Sequence, residues 1–185
     1  MMKNAFVLLF VLALASCANQ EKKPAAEATP APTTAAPSLN SVEAIDAMLA
    51  SFQEAMSSYK VAETAVSRGD VGTTMVKTYS KEGAAPTMVS AMMGEGGMTG
   101  TQEYYLQDGK VVMLRELIMG GPSNTENRFY FSNGNLMKAM GRNVPGRMAW
   151  DGVAFEDYKS PDASIDFRLK YSEVQRSADE YLNAK

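Results

Sequence analysis

Hydrophobic positions along this chain change their period several times, and each change marks an element. From Ser41 the apolar residues Ile45, Met48, Leu49, Phe52, Met56 and Tyr59 recur at steps of three and four, which places them on one face of a helix. Asn40 stands where a helix cap is needed, and Glu43 lies three residues on, as in a capping box. Beyond Gly69-Asp70 the pattern shifts to strand-like runs, "TTMVKTY" and "TMVSAMM", separated by Lys81 to Pro86 and followed by the glycine-rich "GEGGMTG". Two hairpins come next. "YYLQDGKVVML" sets Asp108-Gly109, and "FYFSNGNLMKAM" sets Asn133-Gly134, between apolar runs, and both dipeptides tolerate the positive φ angles of a type I′ turn.

The two hairpins match residue for residue, Tyr104 with Phe129, Leu106 with Phe131, Gly109 with Gly134 and Val111 with Leu136, so the motif is repeated once. With two-residue turns, Leu106 pairs with Val111 and Tyr104 with Met113, and in the second copy Phe131 with Leu136 and Phe129 with Lys138; this face is the expected core. The opposite face carries Tyr105, Val112, Leu114, Tyr130, Met137 and Ala139, together with Glu103 and Arg128 at equivalent positions. It is amphipathic, and Tyr105, Val112, Leu114, Tyr130 and Met137 form the candidate binding face. The C-terminal helix, a ligand or a partner is expected to cover it.

The last periodic stretch begins at Ser160-Pro161-Asp162, with serine as cap and proline at the first helical position, and carries Phe167, Tyr171, Val174, Ala178 and Tyr181 along one stripe. Between it and the second hairpin, Gly141 to Lys159 reads as irregular, with Trp150, the only tryptophan, as a plug for one end of the core. The expected fold class is therefore α+β: an antiparallel β-meander of about six strands, with an N-terminal helix and a C-terminal helix packed on the sheet.

The N-terminus follows a different logic. Met1 to Asn4 supply one positive charge, and "AFVLLFVLAL" (Ala5 to Leu14) is an apolar run of signal-peptide length, too short to span a bilayer. Leu14-Ala15-Ser16-Cys17 then resembles the lipobox of bacterial lipoproteins. That resemblance implies cleavage just before Cys17 and acylation of its thiol and of the new amine. Each buried methylene contributes ~0.8 kcal/mol, so three acyl chains hold far more firmly than one. From Ala18 to about Pro37 the chain turns to Ala, Pro, Thr, Lys and Glu, a composition that cannot bury a core. As a polyproline-like spacer of about twenty residues it reaches up to ~60 Å. The organisation expected is thus a signal peptide over 1–16, an acylated cysteine with its tether over 17–40, and one α+β domain over 41–185.

Ala18, rather than an aspartate, follows the cysteine, as in lipoproteins sorted to the outer membrane of Gram-negative bacteria. "NQEKK" after it is similar to the polar stretch that precedes surface export in some Bacteroidota, so the domain is expected at the cell envelope, facing the periplasm or the cell surface. "EYYLQDGKVVML" and "ENRFYFSNGNLMKAM" resemble segments of uncharacterised small lipoproteins, many from Bacteroidota, a likeness that implies no activity.

Composition then narrows the chemistry. A formal charge of -3 and no Lys/Arg cluster argue against nucleic acid as a partner. There is no histidine, which removes the commonest general base and metal ligand, and the single cysteine permits no internal disulfide. A hydrolase would have to draw on carboxylates such as Glu103, Glu116 and Glu126. Fourteen methionines, among them Met88, Met92, Met93 and Met98 within eleven residues, raise Cu(I) binding by thioethers, although methionine more often fills gaps in cores. The favoured expectation is a membrane-anchored, non-enzymatic binding or assembly accessory with no cofactor, no metal and a protein partner. Its alternative is a carrier of a lipid or another apolar ligand held between the sheet and the C-terminal helix.

Overall fold

Each strand of this molecule pairs with the next one in the chain. The structure is a computed structural model that describes residues 39–67, 72–95, 97–120, 122–146, 150, 152–157 and 170–184. Cys17, the expected signal peptide and nearly all of the expected tether lie outside the described residues, as do Ser160-Pro161-Asp162 and Phe167. The strands are β1 (Lys60–Ser67), β2 (Thr73–Ser80), β3 (Pro86–Glu95), β4 (Met98–Gln107), β5 (Lys110–Met119), β6 (Ser123–Ser132), β7 (Asn135–Pro145) and β8 (Glu156–Asp157). They form one antiparallel sheet in sequential order, an eight-stranded meander. Eight strands replace the six expected. β1 is exposed along most of its length, and Val61 and Val66 fall on opposite faces, so it shows no period-two signal; β8 has two residues.

Two helices cover the sheet, one on each face. Helix α1 (Val42–Glu54) buries Ile45, Leu49 and Phe52 against Met88, Tyr105, Val112, Met113 and Tyr130. Helix α2 (Tyr171–Leu182) buries Val174, Ala178 and Tyr181 against Val89, Ala91, Tyr104, Leu106, Leu114 and Phe129 on the other side. The cap of α1 is Ser41, whose Oγ accepts from the Ala44 N–H at 3.2 Å. Asn40, expected there, instead accepts at Oδ1 from the Ser132 hydroxyl, so no capping box forms with Glu43. Met56 leaves the helix in a 3-10 turn, Met56–Ser58, and is exposed.

Both hairpins turn where expected. Asp108 and Gly109 have φ of 51° and 76°, and Asn133 and Gly134 have φ of 51° and 77°, the left-handed values that a type I′ turn requires. Their pairing, however, is not simple. Leu106 pairs with Val111, but Tyr105 pairs with Met113 and Tyr104 with Leu114, so Val112 is an extra residue in β5. Met137 is the extra residue in β7, because Phe131 pairs with Leu136, Tyr130 with Lys138 and Phe129 with Ala139. The expected pairs Tyr104 with Met113 and Phe129 with Lys138 are therefore corrected: each β-bulge moves the rest of its strand to the opposite face.

Candidate functional site

The bulges divide the residues expected on one binding face. Tyr105, Val112 and Tyr130 are buried beneath α1, while Leu114 is buried beneath α2 on the opposite side of the sheet. Met137, in its bulge, is exposed. The structure thus brings Tyr105, Val112 and Tyr130 together and separates Leu114 and Met137 from them. What covers the three is the first helix of the same chain, and the C-terminal helix expected there lies on the opposite face. Phe52 of α1 meets Tyr59, Tyr79 and Tyr105 edge-on, with ring centroids 4.8, 5.9 and 5.8 Å away.

Farther along that face lies an ionic cluster that hydrophobic patterning gives no reason to expect. Glu126 is fully buried, and three arginines converge on it from β5, β6 and β7. Arg115 Nε and Arg128 Nε donate to Oε1 at 2.7 and 3.0 Å, and Arg142 donates to Oε2 from Nε at 2.9 Å and Nη2 at 2.6 Å. Arg115 also reaches Glu103 at 3.2 Å, and Glu103 accepts from the Tyr105 hydroxyl at 2.9 Å. Two aromatic rings close the cluster from outside. Phe155 lies 4.2 Å from the Arg128 guanidinium and 4.4 Å from that of Arg142, and Trp150 lies 4.9 Å from that of Arg142. Trp150 therefore covers charged groups instead of plugging the apolar core, and Arg142 holds its loop by donating to the Trp150 and Val153 carbonyls.

The environment fixes the charge states. Burial alone would push the Glu126 carboxyl up, but hydrogen bonds from Arg115 and Arg142 and the nearby guanidinium charges outweigh it and hold the carboxyl below its ordinary value. Burial opposes the Arg115 charge, yet Glu126 and Glu103 together raise its pKa further above the ordinary value. Burial also pushes the Tyr130 hydroxyl up to about 12; Arg128 opposes that shift, and Asp46, which accepts its hydrogen bond at 2.9 Å, adds to it. A glutamate kept ionised, enclosed and fully engaged in this way is a structural counter-ion. Glu116, the third carboxylate named above, sits on the other face and accepts from Gln102 at 3.0 Å. The thioethers are likewise divided: Met92 and Met119 lie on the α1 side, Met93 and Met98 on the α2 side, and Met88 and Met113 in the core under α1. Among the described residues no three His, Cys, Asp or Glu side chains form a metal-binding group.

An opening lies at the hairpin tips. Pairing between β5 and β6 starts only at Met113↔Tyr130, so residues 110–112 and 131–132 stand apart. The gap widens into a cleft of about 640 Å³. Val111, Val112 and Phe131 form its floor, Leu39 and Asn40 border it before α1, and Tyr171 and Gln175 close it from α2. Asp108, Lys110 and Asn133 sit at its rim. The Gln175 amide reaches into the opening, where Oε1 accepts from the Val111 N–H at 2.9 Å and Nε2 donates to the Gly109 carbonyl at 3.0 Å. Both turns were legible in the sequence, but the opening between them was not, because it depends on two bulges and on a glutamine 64 residues from its partner. No family model, curated protein or solved structure matches this chain.

Proposed function

We propose that the chain is a lipoprotein held at the outer membrane by acyl chains on Cys17, where the unit beyond its tether serves as a non-enzymatic binding or assembly accessory. The anchor rests on the order of charge, apolar run, Leu14-Ala15-Ser16 and Cys17. The observation that carries the binding role is the cleft at the hairpin tips, with apolar floor and polar rim, the form that recognition sites take. The space between sheet and α2 speaks for an accessory over a carrier of apolar ligand: Val174, Ala178 and Tyr181 are each buried there against sheet side chains. Among the described residues no helix is long and apolar enough to cross a membrane.

The anchor is tested by Cys17→Ser, which is expected to abolish incorporation of labelled fatty acid and to block cleavage before residue 17; an unchanged membrane fraction would refute it. The binding role is tested by crosslinking in intact membranes, then detergent extraction and mass spectrometry. A stoichiometric protein partner is expected. A co-purifying lipid in its place would establish the carrier.

A further inference from the structure

An amide from α2 occupies the position of a missing strand partner. The Gly109 carbonyl and the Val111 N–H are two residues apart on one edge of the first hairpin, the spacing at which a single residue of an adjoining strand engages both. Gln175 supplies that donor and acceptor from its side chain. Its other contacts are within its own helix: the Tyr171 hydroxyl donates to Oε1 at 2.9 Å, and Nε2 donates to Asp179 Oδ1 at 3.0 Å. If Gln175 lets go of the hairpin, its amide still has partners and bears no unsatisfied polar atom.

We propose that the hairpin-tip cleft is a peptide-binding site that takes an extended, uncharged segment of a partner protein, with Gln175 as a resident plug that the segment displaces. The inference deepens the accessory role and rests on that reading for the partner being a protein. Backbone recognition follows from the two groups Gln175 now holds. The half-buried Tyr171 ring, 5.4 Å from that of Phe131, offers the accessible apolar surface for a side chain of the segment, above the buried Val111, Val112 and Phe131. The charged rim groups are Asp108 and Lys110, of opposite sign, so the cleft selects no net charge. Alternate side chains of an extended segment point the same way, so the sequence it favours has apolar residues at every second position.

The test is selection of a phage-displayed library of random ten-residue peptides on the detergent-solubilised full chain. Enriched peptides are expected to be uncharged with alternating apolar residues, and to weaken by about tenfold when one central peptide nitrogen is methylated. Gln175→Ala removes the plug and is expected to strengthen binding about fivefold, with loss of hydrogen-exchange protection at the Val111 amide that bound peptide restores. Ser132→Trp, filling the cleft from its β6 wall, is expected to abolish binding; should Gln175→Ala fail to fold, this variant and the methylated peptides decide the matter. No enrichment on the wild type would overturn the proposal, as would binding indifferent to backbone methylation. Peptides that bind in this way, with no partner crosslinked in membranes, would keep the site and overturn the accessory role. A partner that crosslinks through β1 and not through Ser132 would do the reverse.

Discussion

Glu126→Gln isolates the charge of the arginine cluster from its shape. The substitution keeps the volume of a side chain that is fully buried, and replaces one acceptor oxygen with a donor that faces guanidinium N–H groups. Arg115, Arg128 and Arg142, with side chains 23, 26 and 16% exposed, lose their shared counter-ion. Removing one partner of a fully buried ion pair costs ~3–5 kcal/mol, and the water still reaching these guanidiniums lowers the expectation to about 3 kcal/mol. For a unit of this size that corresponds to a fall in Tm of about 6–12 °C. Urea titration followed by circular dichroism measures it, with Glu103→Gln as the comparison. Glu103 bonds one of the arginines and is itself partly exposed, so its loss is expected to cost about 1 kcal/mol.

The same carboxyl makes a pH prediction. Its folded pKa is lowered, so its contribution is complete above the ordinary glutamate value of about 4.3 and is lost as pH falls through the lower folded value. Glu126→Gln lacks that contribution throughout. The stability gap between wild type and variant is therefore expected to be constant from pH 7 to about 5 and to narrow below about 4. A gap under about 1 kcal/mol at pH 7, or one that widens in acid, would refute the assignment of Glu126 as the ionised counter-ion of three arginines.

Three further outcomes follow from single contacts. Phe52→Ala removes the ring that α1 inserts among Tyr59, Tyr79 and Tyr105 and is expected to cost ~3–5 kcal/mol in urea unfolding, whereas a cost below about 1 kcal/mol would mean that α1 contributes little to the fold. Gly109→Ala places a Cβ at φ 76° with open space around it, so the loss is conformational alone, about 1 kcal/mol by the same measurement; no loss would refute the type I′ turn. Replacing Asn133 by glycine, at φ 51°, removes only an exposed 3.3 Å hydrogen bond from Nδ2 to the Ser132 hydroxyl and is expected to change stability by less than about 0.5 kcal/mol; a larger loss would show that this bond holds the turn.

Local chemistry made much of the fold legible. Asp108-Gly109 and Asn133-Gly134 located both turns, and the helical spacing of Ile45, Leu49 and Phe52, and of Val174, Ala178 and Tyr181, located the buried stripes of α1 and α2. Each of these signals lies within a few residues of what it encodes. The Val112 and Met137 bulges have no such signal, since an extra residue shows only when two strands are paired, and Leu114 was placed on the wrong side for that reason. β1 carries no strand signal of its own because it takes its partners from β2 and buries little of itself. The arginine cluster was illegible for a related reason: Arg115, Glu126 and Arg142 look like solvated strand positions until the register sets them side by side.

Apolar residues on both faces of the hairpins explain why this sheet needs a helix on each face. In straight register Tyr105, Val112 and Leu114 would already face away from Leu106, Val111 and Met113, so both faces carry apolar residues with or without the bulges. With them, Leu106, Val111 and Leu114 go to one side and Tyr105, Val112 and Met113 to the other, so both faces are apolar near the turns. The segments flanking the meander supply the two covers, α1 before it and α2 after it, and with one cysteine no internal disulfide can substitute for either. Each bulge also adds twist at its turn, and β5 and β6 part where the extra residue Val112 lies. The cleft thus opens beside the Val112 bulge, and Gln175, carried in by the helix that covers one face, satisfies the backbone left open there.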